Sequence, residues 1–123
     1  MRALKFRAWD GASMRYDVTG FEHGKENEMA GIFLNGDYHA ISETPVMQFT
    51  GLLDKNGKEM YEGDIVRFTQ HLFNISSKQF PEKIKEVMWL DWEGKWNLRE
   101  TNAGESNFEV IGSIYQNPEL IPS

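Results

Sequence analysis

Apolar and polar residues alternate along this chain in short runs, and nearly every run ends at a turn signal. Leu4, Phe6 and Ala8 alternate with Lys5, Arg7 and Trp9, the period of two that a half-buried strand requires. A strand is therefore predicted over 3–9, with Trp9 on its exposed face. Asp10-Gly11 turns the chain toward a second strand over 14–18, which completes a hairpin. From 19 to 30 the residues are mainly Gly, Glu, Lys and Asn with little apolar period, and this stretch reads as a mobile loop or one helical turn.

Apolar runs at 31–34 and 38–41 flank Asn35-Gly36-Asp37. Asn-Gly is favoured where a tight hairpin needs positive φ, so a hairpin is predicted here. Pro45 precedes a short strand over 46–50. A second Asn-Gly pair, inside Asp54-Lys55-Asn56-Gly57-Lys58, reverses the chain before 59–61. Glu62-Gly63-Asp64 bends it into a strand over 65–69, rich in branched and aromatic residues. Residues 70–83 contain Ser76-Ser77 and Pro81 and read as an excursion between paired strands.

A long strand is predicted over 83–92, with Ile84, Glu86, Met88 and Leu90 on one face and Lys85, Val87, Trp89 and Asp91 on the other. Glu93-Gly94 turns it toward a strand over 96–99. The last strand spans 108–115 and ends at Asn117-Pro118. No segment carries a long helical apolar stripe with matching caps. Short strands separated by turns predict a mainly β protein with little helix: a small SH3-like barrel over 46–118 with an N-terminal β-hairpin extension over 1–45, in a single domain of 1–123.

Composition supports a folded chain. Of 123 residues, 40% are hydrophobic and 13% aromatic, enough apolar surface to offset chain entropy in one domain. The absence of cysteine removes disulfide scaffolds, thiolate zinc sites and cysteine nucleophiles, and fits a reducing compartment. Charges interrupt the start, Met1-Arg2-Ala3-Leu4-Lys5-Phe6-Arg7, so neither a signal peptide nor a membrane span is drawn, and a cytoplasmic location is expected. A net charge of −6 argues against nonspecific binding to duplex nucleic acid. Lys78, Lys83 and Lys85 are interleaved with Glu82 and Glu86, so no basic patch offsets that charge.

Candidate chemistry is sparse. Glu62 and Asp64, and Asp91 and Glu93, are carboxylate pairs two residues apart, a spacing that can hold a divalent metal where the fold converges their oxygens. Their glycine-rich surroundings favour turns, where acidic side chains bond the backbone or meet water. Glu93-Gly94-Lys95 has the acidic-x-lysine form of some phage nucleases, but three residues without a second acidic cluster read as a hairpin turn. His23, His39 and His71 have no ligand spacing. None of G-x-S-x-G, G-x-x-x-x-G-K or G-x-G-x-x-G occurs. No catalytic residue, metal ligand or cofactor site is assigned. Trp89, Trp92 and Trp96 concentrate aromatic area in one predicted hairpin. Core packing is expected for two of them, and Trp92, with Trp9, is the expected interaction surface.

Three segments resemble the YopX family of phage and prophage proteins. The first is Lys5-Phe6-Arg7-Ala8-Trp9-Asp10 with Met14 and Tyr16. The second is Met47-Gln48-Phe49-Thr50-Gly51-Leu52 with Asp54-Lys55-Asn56-Gly57-Lys58-Glu59 and Tyr61-Glu62-Gly63-Asp64-Ile65-Val66. The third is Phe108-Glu109-Val110-Ile111-Gly112-Ser113-Ile114-Tyr115-Gln116-Asn117-Pro118-Glu119-Leu120. They agree in order and spacing. The resemblance implies a mainly β fold and a temperate-phage or prophage origin, and it implies no reaction. The expectation is a noncatalytic interaction protein that binds a host or phage protein, with self-association through a β edge or aromatic patch as a further expectation. The alternative is a nucleic-acid-binding or metal-dependent nucleic-acid-processing protein.

Overall fold

The structure is a computed structural model and describes residues 4–26, 28–70, 80–98 and 105–121. It is mainly β, as predicted. Among the described residues the strands are β1 Phe6–Trp9, β2 Met14–Arg15, β3 Val18–His23, β4 Met29–Leu34, β5 Asp37–Ala40, β6 Val46–Leu53, β7 Glu59–Tyr61, β8 Asp64–Gln70, β9 Glu82–Glu86, β10 Trp89–Leu90, β11 Lys95–Trp96 and β12 Glu105–Ser113. A 3-10 turn at Pro118–Leu120 follows. The chain divides into two compact units, Met1–Phe49 and Thr50–Ser123.

In the first unit β1 pairs antiparallel with β2 and with the start of β6. The predicted turn at Asp10-Gly11 forms as an Asx turn: the Asp10 carboxylate accepts the Ala12 and Ser13 amides, both at 2.8 Å. The predicted sidedness of β1 does not hold. Leu4 precedes the strand and is exposed, Arg7 is buried beside Ala8, and Trp9 is half-buried, its amide donating to the Pro45 carbonyl at 3.0 Å. β1 lies between two partners, and residues of both its faces are covered.

The loop expected over 19–30 is corrected. β3 and the start of β4 occupy most of it, pairing from Val18↔Leu34 to His23↔Met29 with two register irregularities. Those shifts, together with Gly20 and Gly31, blur the period of two that would have revealed the strands. Val18 and Phe21 of β3 pack against Ala8, Ile32 and Leu34. β4 and β5 form the predicted hairpin, with Asn35 and Gly36 both at positive φ, 52° and 85°, the backbone of a type I′ turn.

In the second unit β8 is the central strand, flanked by β12 and β9 in the order β12-β8-β9. Register shifts at Ser106/Glu109 and Val110/Gly112 interrupt the β12–β8 ladder. Such irregularities bend and twist a strand, and this curling sheet is compatible with the SH3-like expectation. Met60, Val66, Phe68, Val87, Trp96 and Phe108 form the core, with Leu98 and Val110 against it. The second Asn-Gly pair turns the chain as predicted. Gly57 has φ 83° and donates to the Asp54 carbonyl at 3.0 Å, while the Asp54 amide donates to the Lys58 carbonyl at 2.7 Å. At Gly63, φ 86° makes the predicted glycine bend into β8.

The single strand predicted over 83–92 is corrected to two, β9 and β10, separated at Val87-Met88. Its inner face also differs from the expectation, since Val87 is buried while Ile84 and Met88 are exposed. Of the strand predicted over 96–99, Trp96 lies on β11, Asn97 and Leu98 follow it outside any strand, and Arg99 lies outside the described residues; the last strand, predicted from 108, already includes Glu105. The excursion read over 70–83 falls largely on 71–79, outside the described residues, as do His71 and the Ser76-Ser77 pair.

Candidate functional site

β10 and β11 form a two-stranded hairpin with Trp89 opposite Trp96 and Leu90 opposite Lys95. Asp91, Trp92, Glu93 and Gly94 make its turn, where the Leu90 carbonyl accepts both the Glu93 amide at 3.1 Å and the Gly94 amide at 2.8 Å. Gly94 sits at φ 63°, a conformation that a residue with a side chain adopts at a cost. The indole rings of Trp89 and Trp96 meet edge to face with centroids 5.2 Å apart, and Trp96 carries that contact into the core of the second unit.

A two-residue ladder is too short to hold its geometry alone. Asn97 supplies the missing support. Its amide donates to the Met88 carbonyl at 3.0 Å, its Oδ1 accepts the Met88 amide at 2.9 Å, and its Nδ2 donates to the Glu86 carbonyl at 2.8 Å. The Asn97 side chain thus does what a third strand would do at the break between β9 and β10. Lys85 adds a second tie: its ammonium donates to the Asn97 carbonyl and lies 4.7 Å from the Phe68 ring centroid and 5.4 Å from that of Phe108. The hairpin is anchored at its base, and the residues of its tip are exposed.

Of the three hairpin tryptophans only Trp96 is buried, at 8% exposure; Trp89 is 41% exposed and Trp92 79%. Core packing for two of them is therefore corrected to one. Trp89 leaves the core because the strand breaks at Val87-Met88, where Val87 takes the buried position and Met88 is exposed. Trp92 is exposed because it stands at the second position of a four-residue turn rather than on a strand. Its ring makes no aromatic or cation contact among the described residues. Asn97 was not singled out from sequence, because an asparagine beside a tryptophan carries no pattern, and Lys85 was read only as one of a basic cluster offset by Glu82 and Glu86, not as a tie to the core.

The members of the carboxylate pairs have different surroundings. Asp64 is buried, and its Oδ2 accepts the Tyr61 amide at 2.8 Å across the Gly63 bend. Glu62 is half-buried, near enough to Glu86 that burial first, and then the Glu62 charge, raises the Glu86 pKa. Asp91 and Glu93 lie in the hairpin turn, where Glu93 meets Lys95 at 3.8 Å. Glu93-Gly94-Lys95 is that turn with its ion pair. His23 lies on β3, exposed, and His39 on β5, half-buried. Among the described residues no three His, Asp or Glu side chains converge on a point that could hold a metal.

Fold and geometry together define a small, nearly all-β protein with an anchored aromatic hairpin. Residues 5–122 match the family described as YopX protein, and the chain belongs to that family. Its structure is similar to the crystal structure of protein EF1440 from Enterococcus faecalis, with 28% identity, a TM-score of 0.69, and 99% of this chain and 100% of that one covered. It also shares its fold with the crystal structure of protein yopX from Bacillus subtilis, at 18% identity and a TM-score of 0.58, with 99% and 100% covered. No curated protein matches the chain. No helix among the described residues is long and apolar enough to cross a membrane.

Proposed function

We propose that this chain is a noncatalytic protein-interaction module of phage or prophage origin, acting in the bacterial cytoplasm, whose contact surface is the β10–β11 hairpin tip with Trp92 as anchor. The carrying observation is the 79% exposure of Trp92 on a hairpin fixed by Asn97. An exposed tryptophan on an anchored hairpin has large apolar area with little side-chain entropy to lose, the profile of an interface anchor. Trp89 and Met88, both exposed on the same hairpin, extend the apolar surface. Trp9, in the other unit, is half-buried on β1 and is not part of this surface.

The carboxylates of Asp91 and Glu93 on either side of Trp92, together with a net charge of −6, oppose a phosphate backbone at this surface. The test is affinity capture from nuclease-treated bacterial lysate with wild-type protein and Trp92→Ala, read by mass spectrometry. A host or phage protein captured by wild type and lost with Trp92→Ala is expected. Capture that needs intact nucleic acid, or that survives the substitution, refutes the assignment.

A further inference from the structure

Resting on that reading, we infer that the partner presents a cationic segment, and that Trp92 with its flanking carboxylates receives an arginine or lysine side chain. The argument begins with what Trp92 lacks. Its indole face is free of ring and cation contacts among the described residues, although the protein satisfies two other aromatic rings, Phe68 and Phe108, with one ammonium, that of Lys85. Tryptophan offers the strongest face for a cation of any side chain, and this one is open to solvent.

The turn then supplies charge. Asp91 and Glu93 are the immediate neighbours of Trp92, and both are exposed. Glu93 lies 3.8 Å from Lys95, the single cation of the turn and its adjoining strands. Asp91 has no ion pair or hydrogen bond among the described residues. A guanidinium stacked on the Trp92 face can meet Asp91 with its N–H fork, so the ring and the carboxylate select for the same group.

Charge separates the possible occupants. A polyanion would bring phosphates against Asp91 and Glu93, and a second copy of the chain would bring another net charge of −6. A cationic peptide is attracted by the tip and by the whole chain, which also speeds its approach at low salt.

The test uses the full chain labelled with 15N and the indole N–H resonances of Trp9, Trp89, Trp92 and Trp96, assigned with Trp92→Phe. The probe is a blocked peptide of alternating glycine and arginine, with glutamate-containing and single-stranded oligonucleotide controls. The Trp92 resonance should move saturably with the arginine peptide, and the effect should weaken with salt. Asp91→Asn with Glu93→Gln should lower affinity by about threefold to tenfold, and Trp92→Ala by a similar factor. Trp92→Phe, which keeps an aromatic face, should lose less affinity than Trp92→Ala, both read from the backbone amides of the 91–94 turn.

A Trp92 resonance unmoved by the arginine peptide overturns the inference. So does an equal response to the glutamate peptide or oligonucleotide, or a shift that depends on protein concentration alone, which would mark a second copy as the occupant. If the arginine peptide fails while lysate capture still depends on Trp92, the cationic class falls and the interaction reading stands. If both fail, the interaction reading falls with it.

Discussion

Replacing Asp54 by alanine tests how the Asp54–Lys58 turn is joined to the last strand. Oδ1 of Asp54 accepts the amides of Asn56 at 2.8 Å and Lys58 at 2.9 Å, and Oδ2 accepts the Val110 amide at 3.0 Å, from β12. The side chain is buried at 6% exposure. Stranding the half-buried Val110 amide costs about 1–3 kcal/mol, and losing charge-assisted bonds to two turn amides that water can reach adds about 1 kcal/mol. The sum, about 3 kcal/mol, lowers Tm by about 10 °C in a chain of this size.

The same carboxylate makes stability depend on pH. Burial pushes the Asp54 pKa up, but the amides of Val110, Lys58 and Asn56, with the Lys58 charge, outweigh it and leave the pKa below its ordinary value. Its contribution is therefore complete above the usual carboxylate value of about 4 and fades as pH falls through the lower folded value. Urea denaturation of wild type and Asp54→Ala at a series of pH values isolates this residue from other carboxylates. The gap between the two proteins should be widest near neutral pH and narrow in acid. A gap under about 1 kcal/mol at neutral pH, or one that does not change with pH, refutes the reasoning.

Three further outcomes are expected. Trp96→Ala should cost about 3–5 kcal/mol by removing a buried ring, while Trp92→Ala stays within about 0.5 kcal/mol; denaturant unfolding of the two variants distinguishes them. Gly36→Ala forces a Cβ onto φ 85° and should weaken the β4–β5 hairpin by about 1–2 kcal/mol, seen as faster amide exchange in those strands. The amides of Ser13 and Ala12, with help from Arg15, hold the Asp10 pKa at about 2. An NMR titration of its carboxyl carbon should show the midpoint there, and a midpoint in the usual carboxylate range would contradict the Asx-turn geometry. Because that pKa is lowered, the turn's stabilisation persists through mildly acidic pH and is lost only as pH falls through the folded value.

Legibility in the sequence followed the range of the forces involved. Asn35-Gly36, Asn56-Gly57 and Gly63 announce their turns because the left-handed backbone is a local requirement that few residues meet. Trp92 was expected at the surface while read as the end of a strand, whereas its exposure comes from its place in the 91–94 turn. The strands β3 and β4 were not legible, because two register shifts and polar exposed positions removed the alternation that marks a strand. The break between β9 and β10 was hidden for a different reason: residues 83–90 suit a strand throughout, and what divides them is the side chain of Asn97, arriving from across the hairpin.

By itself, the sequence determined the mainly β class, the places where the chain reverses, the acidic character and the family, since each depends on local backbone preference, composition or an ordered run of residues. Only the tertiary structure decided which face of each strand is covered, that Arg7 and Asp64 are buried, that Asp54 reaches Val110, and that one hairpin tryptophan fills the core while another is exposed. Burial is a property of what packs across from a residue, and those partners are separated along the chain by stretches over which no local pattern carries.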